Sequence, residues 1–519
     1  MEDAVRDFVL RMTGGRADVA DLCARTVGDV AEGSVCRRVG AGERKLLGSA
    51  PGVVTEVAPD TPVEAVGTPF VLCQDLLYTR RNWQYERMVK VRVDEMAAQG
   101  SSKTVEPPKK GIYAALRPEQ RAAVATMCRE RFSILTGGPG TGKTFTIARA
   151  VCFVRSGFAD LRLGLAAPTG KAAVRMMESM QRAMDNVPKA TTLHALLGPS
   201  HDLVTFRHHR GNPLPLDWLI VDEASMIGLP MMAKLLDALP AGCRLTLVGD
   251  VDQLASVERG HVLGDLCRMP NVRICRLAES ARFPSGGAIA KLASAVNENR
   301  PGDALAVLRS GGDVVSYVDV TGHDPFRPQV WPNFGETVAR GFAAFAASRS
   351  EGEALAHVND FRILCGLRKG PYGVERMNEF VKRLLGSAVP TPLMITQNDQ
   401  TQGVSNGDVG VVMPGDPKHL FLSVEGGGVR AIRVELIPFV EPAYATTIHK
   451  AQGSEFTDVA IVLPPAEDSP LLTREILYTG ITRTVKRVFV YAGEPTVRRC
   501  CERTVERISG LVPAAEQRR

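Results

Sequence analysis

One stretch of the sequence, ILTGGPGTGKTFT, constrains the fold more than any other. It fits the pattern G-x-x-x-x-G-K-[ST] and lies between an apolar strand candidate and the helical segment TIARAVCFV. In such a unit, glycines let backbone N–H groups surround phosphate oxygens at a helix N-terminus. The pattern predicts that Lys143 reaches the β- and γ-phosphates of ATP and that Thr144 binds Mg²⁺; a chance glycine-rich turn is the alternative. The predicted phosphate loop comprises Gly137, Gly138, Pro139, Gly140, Thr141, Gly142, Lys143 and Thr144.

Short apolar segments alternate with helical patterns after residue 108, which is typical of parallel α/β domains. The first strand candidates are FSIL (132–135), LGLAA (163–167), WLIV (218–221), LTLV (245–248) and VRIC (272–275). A second set comprises RILC (362–365), PLMI (392–395), VAIVL (459–463) and VFVY (488–491). We therefore expect an α/β protein with two such units in tandem, at 109–276 and 277–519.

Two regions depart from this alternation. Glycine-rich segments with short strand patterns, DVGVVM, LFLSV and AIRVEL, suggest a small β-barrel inserted at about 398–440. Residues 1–108 have no catalytic pattern, and they end in the polar stretch GSSKTVEPPKKG, which is typical of a linker. We expect a small separate domain ahead of that linker.

The composition of the 519 residues, 45% hydrophobic and 23% charged, is that of a globular protein. A net charge of +6 permits nucleic-acid binding, but a solvated surface without a polyanionic partner explains it equally well. The 11 cysteines lack metal or disulfide spacing, so we expect reduced thiols. The first residues, MEDAVRDF, lack the apolar segment of a signal peptide, and no run of about 18 apolar residues occurs. We expect a cytoplasmic protein that does not contact a membrane.

Polar residues follow two further strand candidates of the first α/β unit. In DWLIVDEASMI, Asp222 can hold Mg²⁺ and Glu223 can orient and deprotonate the attacking water. Alone, such an acidic pair is usually a solvated turn. In LTLVGDVDQLASVERG, Gln253 can sense the γ-phosphate through its amide. A lone glutamine in a loop, however, is usually an exposed side chain with no specific role. Together with the phosphate loop, these residues predict an ATP-hydrolysing site.

The remaining motifs resemble those of a known helicase group. LAAPTGKAA, YATTIHKAQGSEF (444–456) and LLTREILYTGITRT (471–484) continue the series in the order found in superfamily 1 DNA helicases, over roughly residues 110–495. More closely, VDEASMIGLPMM, LRKGPYGVERMN, MITQNDQTQGVSNGDVG, FRHHRGNPLPLD and LLYTRRNWQYE resemble the RecD family. Members of that family are alpha subunits of exodeoxyribonuclease V, the RecBCD complex.

The resemblance implies two RecA-like domains that clasp ATP between them while single-stranded DNA crosses their top. On this sequence Gln120 would read the adenine, and Glu455 would contact the ribose or couple the site to DNA. Arg282 and Arg483 would be arginine fingers from the second domain, although each alone is more often a surface residue. Resemblance also implies DNA contacts, for which local capping or packing is the alternative. The implied DNA-contacting residues are Thr169, Lys171, His194, Thr446 and His449.

The resemblance further implies an activity, a polarity and partners. It implies a 5′-to-3′ helicase, dependent on ATP and Mg²⁺, that acts on single-stranded and double-stranded DNA ends. Its partners would be RecB-like and RecC-like subunits, docked through residues 1–108, and no nuclease site is expected in this chain. The barrel is similar to the SH3-like insert of helicases with that polarity, and residues 207–210 would lie on a hairpin, at about 200–215, that guides or splits DNA. A stand-alone helicase and a scaffold with an inactive ATPase are the alternatives.

Overall fold

The computed structural model describes most of the chain. Within the described residues, no helix has both the length and the apolar character needed to cross a bilayer. The described residues are 1–100, 103–106, 113, 115–200, 205–256, 258–280, 286–324, 327–328, 331–399, 401–424, 428–465, 469 and 471–512.

The N-terminal domain is a small sheet with helices packed against it. Its helices are α1 (Glu2–Met12), α2 (Ala17–Ala31), α3 (Ala41–Gly48) and α4 (Arg80–Ala97). Its strands are β1 (Arg37–Arg38), β2 (Val54–Val57), β3 (Phe70–Cys73) and β4 (Leu76–Thr79). The strands pair in the order β1–β4–β3–β2, and only the β2–β3 pair is parallel.

The first α/β unit contains a six-stranded parallel sheet in the described part of the chain. Its strands are β5 (Phe132–Gly137), β6 (Leu163–Ala167), β7 (Thr191–Thr192), β8 (Trp218–Val221), β9 (Arg244–Gly249) and β10 (Arg273–Leu277). Its helices are α5 (Pro118–Arg129), α6 (Lys143–Gly157), α7 (Gly170–Gln181), α8 (Leu193–Leu197), α9 (Leu229–Ala238) and α10 (Val262–Leu266). The sheet order is β10–β5–β9–β8–β6–β7, which confirms all five strands predicted for this unit.

The second α/β unit has a parallel sheet of its own. Its strands are β11 (Val315–Val318), β12 (Phe361–Cys365), β18 (Ala445–Thr447), β19 (Phe456–Val462) and β20 (Thr484–Tyr491). Its helices are α11 (Ala288–Asn297), α12 (Pro301–Ser310), α13 (Phe334–Gly341), α14 (Ala343–Ala347), α15 (Glu351–His357), α16 (Val374–Leu385), α17 (Arg474–Thr482) and α18 (Glu494–Glu502). The strand order is β11–β20–β19–β12–β18, with every neighbouring pair parallel.

An antiparallel sheet is inserted between β12 and β18. Its strands are β13 (Thr391–Ile395), β14 (Val409–Met413), β15 (Asp416–Val424), β16 (Gly428–Arg433) and β17 (Val440–Pro442). They pair in the order β16–β15–β14–β13–β17. The expectation that PLMI belongs to the second parallel sheet is wrong, because Leu393 pairs antiparallel with Gly410 and Pro442. A short apolar run looks the same in either kind of sheet, and the sequence did not predict β11 or β18.

Helix α4 attaches the N-terminal domain to the first α/β unit. Its apolar residues Val89 and Val93 are fully buried in a core that includes residues of α9. On the same helix, Arg92 donates hydrogen bonds to the carbonyls of Leu236 (3.3 Å) and Leu239 (3.0 Å), at the end of α9. These bonds reach carbonyl groups at the C-terminus of α9, where the regular pattern of intrahelical hydrogen bonds ends.

Residues 503–512, which we call the C-terminal strap, run from the second α/β unit to the first unit and the N-terminal domain. Ser509 Oγ and Gly510 N donate to Oε2 of Glu86 on α4, at 3.2 and 2.9 Å. A β-carbon on Gly510 would lie 2.1 Å from the Tyr78 hydroxyl, so only glycine fits at this position. The carbonyls that accept from Arg507 Nη1 belong to Ser256 (2.7 Å), Glu258 (2.9 Å) and Gly260 (2.9 Å).

The carboxyl group of Glu86 is buried beneath this strap, and burial raises its pKa from 4.5 to about 7. The folded protein therefore holds an extra proton between those pH values, and its stability falls as the pH rises through that window. We expect Glu86→Gln, which resembles the protonated acid, to remove this dependence and to stabilise the protein above about pH 7 by at most about 3 kcal/mol. Thermal unfolding at about pH 5 and pH 8 measures the effect, with the exposed Glu64→Gln as the matched control. A pH slope in Glu86→Gln equal to that of the wild type would contradict this expectation.

Candidate active site

The phosphate loop connects the end of β5 to the start of α6. Gly142, at the N-cap of α6, has a φ of 84°, a left-handed conformation that glycine adopts without strain. A β-carbon there would come within 3.0 Å of Nε2 of Gln120. The Oε1 atom of Gln120 accepts a hydrogen bond from the backbone N–H of Arg117 (3.2 Å) and so caps α5. The fold thus places Gln120, predicted to read adenine, directly against the phosphate loop.

Lys143 is held inside its own loop. Its Nζ atom donates to the carbonyl oxygens of Gly137 (2.6 Å) and Gly138 (3.1 Å). The hydroxyl of Thr141 also donates to the Gly138 carbonyl, at 2.9 Å. Neutral carbonyls are weaker acceptors for an ammonium group than phosphate oxygens, so a bound triphosphate can draw Lys143 away from them.

The predicted acidic pair lies immediately beyond β8. The backbone N–H of Glu223 donates to Oδ1 of Asp222 at 2.9 Å. Glu223 has a φ of 50°, which is uncommon for a residue with a side chain and is often found at functional sites. Burial, followed by the charge of Glu223, raises the pKa of Asp222 to about 6. A bound cation would favour the ionised form of this carboxyl group.

The donor set around this pair fits Mg²⁺. The hydroxyl group of Thr144 and the carboxylate of Asp222 belong to residues that line the same cavity. Mg²⁺ in nucleotide sites usually takes one or two protein oxygen ligands and fills the other positions with phosphates and water. The described residues contain no group of three or more acidic, histidine or cysteine ligands, and a nucleotide-bound Mg²⁺ does not require one.

Gln253 is held by a second buried carboxylate, at the end of β9. Its Nε2 atom donates to Oδ2 of Asp250 at 2.9 Å, and the two residues are only 4% and 2% exposed. Burial raises the pKa of Asp250, while the charge of nearby Lys143 opposes that shift. The side chain predicted to sense the γ-phosphate is therefore fixed through a buried carboxylate that interacts with the lysine of the phosphate loop.

The second α/β unit contributes Arg483 and Glu455 to the site. Arg483 is 3% exposed, and its Nη1 atom donates to the Ser454 carbonyl at 3.4 Å. Burial lowers its pKa, and the charges of Glu223 and Glu455 oppose that shift. Glu455 pairs with Arg175 of α7 at 2.7 Å, so an ion pair joins the two units beside the cavity.

A cavity of about 510 Å³ lies between the two units, with the phosphate loop on one side and Arg483 on the other. Gly137, Gly138 and Gln120 lie beside it, and Arg282 lies outside the described residues. The predicted residues that line the cavity are Pro139, Gly140, Thr141, Gly142, Lys143, Thr144, Asp222, Glu223, Gln253, Glu455 and Arg483.

Three of the predicted DNA-contacting residues are partly or fully exposed. Lys171 is partly exposed, and its pKa is lowered to about 8, first by burial and then by the charge of Arg362. His194 is exposed, and its ring lies 5.9 Å from that of Phe206. His449 is half-buried, and burial lowers its pKa. None of these three residues is among those that line the cavity.

Of the two predicted threonine contacts, one caps a helix and the other is buried. Thr169 caps α7, since its Oγ1 atom accepts a hydrogen bond from the backbone N–H of Ala172 at 3.2 Å. Thr446 lies inside β18 and is 2% exposed. The expected contact through the Thr446 side chain does not fit this arrangement, because a strand position between packed elements hides its hydroxyl group.

Sequence reasoning missed three residues of this region. Asp250 follows β9 as Asp222 follows the neighbouring strand β8, so the shared edge of a parallel sheet is a signal that could have found it. Arg175 has no comparable signal, and neither has Tyr478, whose hydroxyl donates to Oδ2 of Asp250 at 3.1 Å. Their partners lie in the other α/β unit, and a linear pattern does not show which residues meet across two units.

Comparison with known proteins establishes the family. The model of the AAA domain matches residues 120–259, and the model of the UvrD-like helicase C-terminal domain matches residues 442–491. RecBCD enzyme subunit RecD of Mycolicibacterium smegmatis is 40% identical over 466 residues, which cover 84% of this chain and 82% of that protein. The chain belongs to the RecD family. This confirms the resemblance that the motifs indicated.

Other relatives differ in how much of their length is matched. RecD of Haemophilus influenzae is 35% identical over 76% of this chain and 71% of its own length. The ATP-dependent RecD2 DNA helicase of Deinococcus radiodurans is 33% identical over 72% of this chain but only 48% of its own length. A solved Bacteroides Pif1 helicase with ADP-AlF3 and single-stranded DNA shares 16% identity at a TM-score of 0.42, over 74% of this chain and 94% of that one. That likeness is too distant to bear on the function of the RecD-family chain.

Proposed function

We propose that this RecD-family chain is the ATP-driven 5′-to-3′ DNA helicase subunit of a RecBCD-type exodeoxyribonuclease V, acting at double-strand DNA ends. One observation supports this above all: Lys143 of the first α/β unit and Arg483 of the second line the same cavity. A cavity shared in this way can close on ATP and open after hydrolysis. Such a cycle can be converted into steps along DNA.

Nucleotide binding would begin at the phosphate loop. Lys143 would exchange the carbonyls of Gly137 and Gly138 for phosphate oxygens, which are charged and therefore stronger acceptors. Thr144 and Asp222 would hold Mg²⁺. When bound, Mg²⁺ would neutralise charge on the β- and γ-phosphates.

Hydrolysis requires a base and a group that stabilises developing charge. The Glu223 carboxylate would orient and deprotonate the attacking water, and Gln253 would sense the γ-phosphate. Arg483 would stabilise the charge that develops on the γ-phosphoryl oxygens, with Arg282 as a second arginine finger by family resemblance. Gln120 is proposed to contact the adenine, and Glu455 is proposed to contact the ribose or to couple the ATP site to DNA.

Single-stranded DNA would cross both units. Contacts to its backbone are proposed for Thr169, Lys171, His194 and His449, since polar and basic groups can hold phosphates without reading sequence. The hairpin predicted at about 200–215 would guide or split the strands, and backbone bridges join Pro199 to Phe206 and His209 to Asn212 in this region. The antiparallel insert would act as the SH3-like domain of helicases with 5′-to-3′ polarity.

The proposed partners are RecB-like and RecC-like subunits, with residues 1–108 as the docking domain and the cytoplasm as the place of action. The match to RecD of Mycolicibacterium smegmatis spans 82% of that protein, whereas the match to RecD2 spans 48%. This difference favours the subunit over a stand-alone helicase. A scaffold with an inactive ATPase is disfavoured, because Lys143, Asp222, Glu223 and Arg483 are all present.

The subunit proposal is tested by co-expressing the chain with the RecB-like and RecC-like proteins of its own organism. We expect a heterotrimer that unwinds blunt DNA ends, and we expect Lys143→Ala to assemble equally well while its own contribution to ATP hydrolysis falls sharply. A chain that binds neither partner and unwinds 5′-tailed DNA alone would contradict the subunit assignment and favour the stand-alone alternative.

A further inference from the structure

Three hydrogen bonds join the second α/β unit to the loop that follows β9. None of them has a role in the chemistry proposed above. The hydroxyl of Tyr478 donates to Oδ2 of Asp250 at 3.1 Å. The backbone N–H of Leu254 donates to Oγ1 of Thr479 at 3.0 Å, and Nε2 of Gln452 donates to the Leu254 carbonyl at 2.8 Å. We call Tyr478, Thr479 and Gln452 the loop clamp.

The loop that follows β9 contains Gln253. The Oδ2 atom of Asp250 accepts from both Gln253 Nε2 (2.9 Å) and the Tyr478 hydroxyl (3.1 Å). The orientation of the Gln253 amide therefore depends on a carboxylate that a phenol of the other unit holds in place. Asp250, Gln253 and Tyr478 are 2%, 4% and 7% exposed, so water competes little for these bonds.

Tyr478 also lies against the phosphate loop. A β-carbon on Gly138 would be 3.2 Å from the Tyr478 hydroxyl. The carbonyl of Gly138 is itself an acceptor for Lys143 Nζ, at 3.1 Å. One hydroxyl group from α17 therefore adjoins both the phosphate loop and the loop that carries Gln253.

Separation of the two units would break the whole clamp at once. Every clamp residue belongs to the second unit, and every partner belongs to the first. Without the clamp, the buried carboxylate of Asp250 loses a donor and Leu254 loses both of its cross-unit bonds. Water that enters between the parted units replaces these partners, so nothing from the second unit would then hold the loop in its present arrangement.

We infer that Tyr478 and Thr479 are positioning residues that hold Gln253 in its working orientation only while the two units are closed on ATP. The inference rests on the proposed helicase function. It makes closure of the units a condition for hydrolysis, and not only a consequence of ATP binding. ATP that binds to the first unit alone would then be hydrolysed slowly.

Steady-state ATP hydrolysis by Tyr478→Phe tests this inference, at saturating single-stranded DNA and in its absence. We expect kcat with DNA to fall about tenfold to a hundredfold, because a hydrogen bond to a charged group is lost from the working arrangement. The KM for ATP should change less than about threefold, since the phosphate loop keeps its own groups. The matched control is Tyr444→Phe, whose hydroxyl donates to the Pro390 carbonyl (3.2 Å) in the core of the second unit.

A second pair of variants separates positioning from packing. Thr479→Val removes the acceptor of the Leu254 N–H, and Thr496→Val removes an equally buried hydroxyl that donates to the Pro464 carbonyl at 3.1 Å. We expect only Thr479→Val to lower kcat with DNA. A loss of kcat that the control variants share, or a rise in the KM for ATP without a fall in kcat, would overturn the inference.

Failure of this inference and failure of the proposed function give different results. If the wild-type protein shows no DNA-stimulated hydrolysis, the proposed function falls and the role of the clamp falls with it. If the wild type and Tyr478→Phe are stimulated equally by DNA, the positioning role alone is overturned.

Discussion

Replacing Lys143 with alanine is expected to lower DNA-stimulated ATP hydrolysis about a hundredfold to a thousandfold, the usual cost of removing one preorganised charge-stabilising donor. The ammonium group lies beside the phosphate loop and, among the described residues, donates to the carbonyls of Gly137 and Gly138. Its loss leaves two partly solvated carbonyls, so we expect little change in folding. The measurement is the rate of phosphate release at saturating single-stranded DNA, together with the Tm.

The matched control for this variant is Lys291→Ala, which removes an exposed lysine from α11. It should hydrolyse ATP at the wild-type rate. Equal rates in the wild type and Lys143→Ala would show that the phosphate loop is not the site of hydrolysis. A Tm that falls in Lys143→Ala but not in Lys291→Ala would assign the lost activity to misfolding instead.

Replacing Arg483 with alanine is expected to lower kcat about a thousandfold or more, the effect typical of an arginine finger. ATP binding should weaken far less, because the phosphate loop lies in the other α/β unit. Arg483→Lys should recover little activity, since an ammonium group lacks the planar set of donors of a guanidinium group. Comparing nucleotide affinity, from a fluorescent ATP analogue, with kcat separates the two effects.

Arg487→Ala is the control for this second prediction. Arg487 lies four residues further along the chain, on β20, where its partly exposed side chain pairs with the buried Asp458 of the same unit. Its removal should leave kcat unchanged. An Arg483→Ala enzyme that binds ATP weakly but keeps its kcat would show that Arg483 serves nucleotide binding rather than the transition state.

Several predicted site residues that the structure brings together lie at the ends of parallel strands. The phosphate loop follows β5, and Asp222 and Glu223 follow β8, so each pattern depends only on residues close together in the chain. Because carboxyl ends of parallel strands meet at one edge, local patterns suffice to bring these groups together. The structure likewise confirms all five strands predicted for the first sheet.

What the sequence did not predict depends on contacts between distant segments. The run PLMI has the pattern of a buried strand, and only its pairing with β14 and β17 assigns it to the antiparallel insert. The pairs Arg175–Glu455 and Tyr478–Asp250 join separate units, and the strap bonds to Glu86 link residues more than 400 positions apart. Periodicity shows which face of an element is buried but not which partner covers it.

The direction of movement on single-stranded DNA tests the central claim most directly. Streptavidin is bound to a biotin at either end of an oligonucleotide, and its displacement by the purified chain is followed with and without ATP. We predict ATP-dependent displacement from the 3′ end alone, which Lys143→Ala abolishes. Displacement from the 5′ end, or no displacement by a chain that still hydrolyses ATP in response to DNA, would contradict the account of this chain as a 5′-to-3′ motor.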